Sequence, residues 1–372
     1  MAPPYNARTL KDLPRVAKEH GLGHITVILD LPEPDLRLPT SRWNIQHLFA
    51  YRLLVLPESE FLPIFVADHL DSCSVCYDKH TLSQKWLVDT DQVESLIGNT
   101  PHRLCEQAEH DLLRLPHGSL WSALAQAVRD ESTPKKEYPQ RERTPRQLDG
   151  YVNSAIAIPG SSPSDSGSSP SSSFSDDTVE LYDDEHEARS CKPEDVTVHL
   201  AICFLQVALN LCLLQDRART QGATEIKPRI ERSRLTVQIA GVPITSEDDG
   251  GICRMHKWKT PGNWSMGNLS LAILEAKRAF KRLDFNDKDG SYIPVVSDET
   301  LAQYLGEAIV AWKTNRRYLR NGIFLIAVTN TFIRFIHFTF GDDYLEYLDT
   351  KDELRQKALI RNSNKDVFVK MQ

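Results

Sequence analysis

The sequence predicts an α/β protein: a mixed sheet flanked by helices in the C-terminal half, and a smaller N-terminal α/β or α+β domain. A disordered linker joins the two. Three observations carry this reading. The segments Leu269–Leu274, Ile323–Thr329 and Thr331–Phe340 are short, apolar and strand-like. Between them, Ser297-Asp-Glu-Thr300 offers an N-cap to the helical period of Leu301–Trp312. Residues 160–178 hold 10 Ser in 19 positions and run into an acidic stretch reaching Glu187. Such a composition buries too little apolar surface to offset the entropy of ordering. The boundaries follow as residues 1–130 for the N-terminal domain, 131–190 for the linker and 191–372 for the C-terminal domain.

Taken in order, the N-terminal part offers a strand at His24–Leu29, a helix around Trp43–Leu54, and amphipathic stretches at Val93–Leu96 and Leu120–Val128. The apolar run Leu200–Leu214 is shorter than the roughly 20 residues a membrane span needs. Gln206 and Asn210 interrupt it at helical spacing, so it reads as a buried helix packed on the sheet, and no membrane partner is expected. Ser246-Glu-Asp-Asp-Gly-Gly251 reads as an acidic turn feeding a strand at Ile252–Trp258. Asn321-Gly322 turns the chain from the long helix into the strand Ile323–Thr329.

Glu275 and Lys277 are two residues apart at the end of the apolar strand. A strand points residues i and i+2 to one face, so a carboxylate and an ammonium project side by side from the edge of a core. Charges there need a partner, a metal or a substrate. The plain alternative is a strand-end ion pair. Gln303 and Glu307 share one face of the following helix at i, i+4.

The order helix, strand, acidic turn and strand, Glu-x-Lys strand, Gln-bearing helix, strand resembles the core of the PD-(D/E)XK nuclease superfamily, including its divergent fungal nuclease-like domains. The resemblance covers roughly Asp195–Phe340 and implies a restriction-endonuclease-like sheet. It also implies that Asp249, or its neighbour Asp248, and Glu275 hold a divalent metal, Mg²⁺ or Mn²⁺. Lys277 would be the lysine that orients or activates water, and Gln303 matches the glutamine some branches carry on the next helix. No Pro precedes the Asp pair and two Gly follow it, a departure from the family pattern. The chemistry suits these residue types. Mg²⁺ takes one or two carboxylates with water and phosphate in its remaining positions, and a nearby Lys adds positive charge where a phosphoryl transition state is most negative. The expected function is hydrolysis of phosphodiester bonds in DNA or RNA. The alternative is a catalytically inactive nuclear protein with a nuclease-like fold, acting in gene regulation or protein interaction. A third reading makes the N-terminal domain a unit that binds a protein partner and the C-terminal half a scaffold.

Charge is unevenly placed: the net is −7 overall, −11 for residues 1–190 and +4 for residues 191–372. The domain expected to meet phosphates is the basic one, although an ordinary solvated surface explains so small an excess nearly as well. Lys135, Lys136, Arg141, Arg143 and Arg146 are spaced like a bipartite nuclear localisation signal, or like an ordinary charged linker. The start lacks the apolar stretch of a secretory signal, and seven Cys then suggest reduced thiols in the nucleus or cytoplasm. Cys73, Cys76, His69, His80, His102, Cys105 and His110 include zinc-ligand types but no clean ligand spacing. Lys257-Trp258-Lys259 and Trp264 alternate cations and aromatics, which suits stacked bases or a capped sheet edge. Arg316, Arg317 and Arg320 fall in the last turn of the Gln303 helix, where cations suit the dipole. Arg334 and His337 alternate with apolar residues and are expected to face solvent.

Overall fold

The structure, a computed structural model, describes residues 4–58, 104, 106–129, 193–211, 224–257, 264–279, 282–286, 291–319 and 322–372. Short helices α1 (Asp12–Glu19), α2 (Glu33–Leu36) and α3 (Ile45–Ala50) lead into the strand β1 (Leu53–Val55). The helices α4 (Glu109–Leu112), α5 (Gly118–Val128) and α6 (Glu194–Leu211) follow. Then come β2 (Thr224–Arg229), β3 (Ser233–Ile239), β4 (Val242–Asp248), β5 (Gly250–Lys257) and β6 (Trp264–Lys277). A small hairpin of β7 (Arg282–Asn286) and β8 (Ser291–Val295) precedes the long helix α7 (Asp298–Asn315). The chain closes with β9 (Ile323–Thr329), β10 (Phe332–Phe340), α8 (Tyr344–Asp349), α9 (Glu353–Arg361) and β11 (Val369–Met371).

Among the described residues seven strands form a mixed sheet in the order β1-β11-β10-β9-β6-β5-β2. β6 pairs β9 in parallel, with α7 as the crossover between them, and β1 pairs β11 in parallel; the other neighbours are antiparallel. Pro228 lies in β2, the last strand of the sheet among the described residues, the kind of position where a residue without an N–H is tolerated. β3 and β4 form a separate hairpin, closed by Ala240 and Gly241 at φ of 50° and 83°. Two left-handed residues are what a twisted two-residue hairpin requires.

Helices cover both faces of the sheet. On one face Ala201 and Leu205 of α6 pack on Ala272, Leu274, Ile326 and Val328. The opposite stripe of α6, Leu200, Cys203 and Val207, meets Leu120 and Ala123 of α5. On the other face α7 packs against Ile273, Leu325 and Ala327. Its start is fixed by Ser297, whose hydroxyl accepts the Thr300 N–H at 3.3 Å. The N-terminal segment belongs to this second layer. Trp43 stacks on Tyr51 at 4.4 Å between ring centres. The hydroxyls of Tyr344 and Tyr347 donate to the carbonyls of Tyr51 and Ala50 at 2.8 and 2.6 Å. A buried Leu or Phe side chain contributes roughly 1.5–3 kcal/mol, so this shared layer is a large part of the fold.

The mixed α/β sheet flanked by helices is as expected, and the strand Ile323–Thr329 is found with those bounds. The expected partition at residue 130 differs from the structure. The described residues before residue 130 and those from 193 onward form one compact unit, because β1 completes the same sheet and the same core. The expected linker, 131–190, and the stretch Val93–Leu96 lie outside the described residues. His24–Leu29 is not a strand: Asp30 gathers the N–H groups of Thr26 and Val27 into a tight turn that ends in a 3-10 turn at Ile28–Asp30. The helix expected over Trp43–Leu54 is shorter. Asn44 caps it by accepting the Gln46 N–H at 3.0 Å, and Arg52, at φ 57°, ends it before β1. The acidic stretch is strand rather than turn up to Asp248, with Asp249 at the corner between β4 and β5.

Candidate active site

The alternation of β6 builds the site. Ala272 and Leu274 face α6, Ile273 faces α7, and Glu275 and Lys277 continue the side of Ile273. Lys277 Nζ lies 2.5 Å from Glu275 Oε1. Gln303, reaching down from α7, donates to the same Oε1 at 2.5 Å and to Glu307 Oε1 at 2.8 Å. Glu275 and Glu307 are 2% and 1% exposed, and Oε2 of Glu307 finds no partner. A row of Lys277, Glu275, Gln303 and Glu307 therefore runs inward from the end of the strand.

Asp249 joins them from the neighbouring corner. Its N–H donates to the Leu274 carbonyl at 2.9 Å, and its Oδ2 accepts the Ala276 N–H at 3.0 Å. Its Oδ1 faces the Arg232 guanidinium at 3.4 Å, which also reaches Asp195 at 3.5 Å. Gly250 and Gly251 make this corner, with φ of 142° and 155°. A Cβ on Gly251 would stand 2.2 Å from the Ala272 carbonyl oxygen, so only glycine brings β5 this close to β6.

Asp248 points elsewhere. Arg229 donates to it at 2.7 Å, and the N–H groups of Ser233 and Gly250 donate at 3.0 and 3.2 Å. Both members of this ion pair are buried. Of the two acidic candidates for a metal, Asp249 stands with Glu275, while Asp248 holds the root of the β3–β4 hairpin.

Burial is the first cause of the site's electrostatics, and it pushes Glu275 up to about 7, with the Asp249 charge adding to the rise and Lys277 opposing it. Glu307 rises well above the ordinary carboxylate range through burial and then through Glu275. Both causes favour its protonated form. Burial works to lower Lys277, but the Glu275 charge and hydrogen bond outweigh it, helped by Glu194 and Glu307, and its net shift is upward. The ammonium form is thus the resting form.

Two neighbours escaped the sequence reading. Glu194, in the first turn of α6, is raised by burial and feels both Lys277 and Asp249. Its only signal was an acidic residue at a helix start, which suits a helix dipole anywhere. Arg334, expected in solvent, instead lines a cleft beside Lys277 with Tyr304, Thr329 and Phe332. His337 stacks on Phe324 at 4.6 Å and is half-buried.

The other candidates do not join this group. Among the zinc-ligand types, His110 pairs with Asp111 at 3.0 Å in an exposed position, and the other six lie outside the described residues. Lys257 pairs with Trp264 across β5 and β6, while Trp258 and Lys259 lie outside the described residues. Arg316 sits over the Trp312 ring at 6.0 Å, Arg317 is exposed, and Arg320 lies outside the described residues.

Among the described residues no group of three His, Cys, Asp or Glu side chains stands ready to hold a metal. Mg²⁺ does not ask for three: one or two carboxylates suffice when water and phosphate complete its shell. The donor set of Asp249 and Glu275, with a buried carboxyl oxygen unpartnered behind them, fits such an ion. No family model, curated protein or solved structure matches the chain. No helix among the described residues is long and apolar enough to cross a membrane.

Proposed function

We propose that the protein is a metal-dependent phosphodiesterase of nucleic acid, built on a restriction-endonuclease-like sheet of the PD-(D/E)XK kind. The observation that carries the reading is the meeting of Asp249, Glu275 and Lys277 at the end of β6, backed by Gln303 from α7. With the separate hairpins β3–β4 and β7–β8 set aside, the order α6, β2, β5, β6, α7, β9, with β6 and β9 parallel, supports it, since this is the order the resemblance implies. A bound Mg²⁺ or Mn²⁺ would supply Lewis acidity to a scissile phosphate and a more acidic water. Asp249 and Glu275 would hold it. The Lys277 ammonium would sit beside the phosphate and counter its growing charge, while Gln303 would fix the Glu275 carboxylate and orient water.

The test is cleavage of labelled DNA and RNA by the purified chain, with Mg²⁺, with Mn²⁺ and with EDTA. Wild type should cut only with metal, and Glu275→Gln or Lys277→Ala should lower the rate at least about a hundredfold. Cleavage by both variants at the wild-type rate, or none by wild type on any substrate, would sink the proposal.

A second reading keeps the fold without turnover, as a nuclear protein acting in gene regulation or protein interaction. The tight Lys277–Glu275 pair favours it, because each charge already has its counter-ion. Under that reading Lys277→Ala would lower the melting temperature and leave no activity to lose. Its nuclear placement rests on the basic cluster from Lys135 to Arg146, which lies outside the described residues.

A further inference from the structure

Beside Lys277 a cleft opens between the first turns of α7 and the ends of β9 and β10. Thr300 and Tyr304 of α7 and Thr329 of β9 line it. Phe332 and Arg334 of β10 line it too, on one side of their strand at i, i+2. Phe332 leaves 51% of its surface exposed although it is a large apolar ring. The side chains of Arg334 and Lys277 are 27% and 28% exposed, so both cations are reachable without being loose. Arg334 meets the exposed Glu58 at 3.5 Å.

We infer that this cleft binds one unpaired nucleotide next to the bond to be cut, with its base on the Phe332 ring and its phosphate between Arg334 and Lys277. This rests on the nuclease reading for the position of the bond and deepens it by naming single-stranded nucleic acid as the substrate class. Side chains at i and i+2 stand roughly 7 Å apart along a strand, about the reach from a base to its own phosphate. An aromatic face accepts any base, and beside cations it makes a platform for a strand without sequence preference. A base held in a duplex hides both faces in the stack and cannot lie on that ring.

The experiment measures binding in EDTA, so that turnover plays no part. Fluorescein-labelled 12-mers of single-stranded DNA, single-stranded RNA and duplex DNA are titrated with the full chain. Single strands should bind more tightly than the duplex, and the DNA and RNA arms show whether the site reads the sugar. Phe332→Ala should weaken single-strand binding about tenfold, while Phe332→Trp keeps it. Phe335→Ala, an equally exposed ring on the opposite face of the strand, should leave it unchanged. Equal affinity for duplex and single strand, or Phe332→Ala and Phe335→Ala behaving alike, overturns the inference. Metal-dependent cleavage of duplex DNA alongside that result would leave the nuclease proposal standing. Ring-dependent single-strand binding without cleavage would uphold the cleft and remove the catalysis.

Discussion

Asp248 and Asp249 are neighbours in sequence with opposite duties, and substitution should separate them. Asp248→Ala leaves the Arg229 guanidinium buried without its partner. Stability should fall by about 3–5 kcal/mol in urea unfolding. Asp249→Asn keeps its shape and can still accept the Ala276 N–H. It should cost activity far more than stability. Equal losses from both would contradict the assignment. Glu307 gives a pH signature. Its folded pKa is raised above the unfolded value, and that of Glu275 is raised to about 7. The folded state therefore binds more protons, so the stability linked to these groups is present below roughly pH 4.5 and lost as pH rises toward their folded values. Glu307→Gln mimics the protonated acid. Its melting temperature should gain on that of wild type as pH goes from about 4.5 to 7, and a constant difference would count against the upward shift of Glu307. The i, i+2 pair and the Gln303–Glu307 face were legible in the sequence because both follow from backbone periodicity alone. The choice between Asp248 and Asp249 was not, because it depends on Arg229, which arrives from another strand.

The elements that aim these side chains depend on close approaches that only small residues permit. Gly306 lies in the middle of α7, where a Cβ would meet Thr40 Cγ2 at 2.7 Å and Trp43 Cε3 at 2.9 Å. Gly306→Ala should destabilise the protein by about 1–3 kcal/mol, read from urea unfolding, as overpacking does. Because Gln303 and Glu307 flank this contact, the same change should displace Gln303 and lower any cleavage rate. An unaltered midpoint would mean that α7 is not pressed against the N-terminal segment. Helices and strands with strong local signals, such as α7 with its Ser297 cap, could be anticipated. The fate of His24–Leu29 could not, because a single carboxylate, Asp30, collects the N–H groups that would otherwise have joined a sheet.

At the scale of the whole molecule, the N-terminal segment belongs to the sheet that carries the site. Residues 191–372 expressed alone should be insoluble or lack a cooperative melt, since they keep β11 on β10 but leave its other edge open, and uncover the α7 layer. Co-expression with residues 1–129 should restore a soluble complex of the two pieces. A protease site inserted between residues 130 and 190 should give fragments that stay together through gel filtration. Well-folded, independent 191–372 would refute the shared core. Composition changes sharply at residue 130, and on composition alone a boundary is expected there. Composition registers what a segment can bury but not which partner it is buried against.

The pairing of β1 with β11 also has a kinetic consequence. Arg52 donates to the Val367 carbonyl across a separation of 315 residues. Closing so long a loop adds only a few kcal/mol of entropy, since that cost grows with the logarithm of length. The rate suffers more, because contacts so distant in sequence form late in the search. Refolding from denaturant should therefore pass through a state in which β6, α7 and β9 have assembled while α7 still lacks its N-terminal cover. Gly306 and its neighbours are open in that state, and Gln303 is not yet held over Glu275. Recovery of the site would trail recovery of helix signal, and the open edge of β11 would make that interval the time of greatest risk of association between chains.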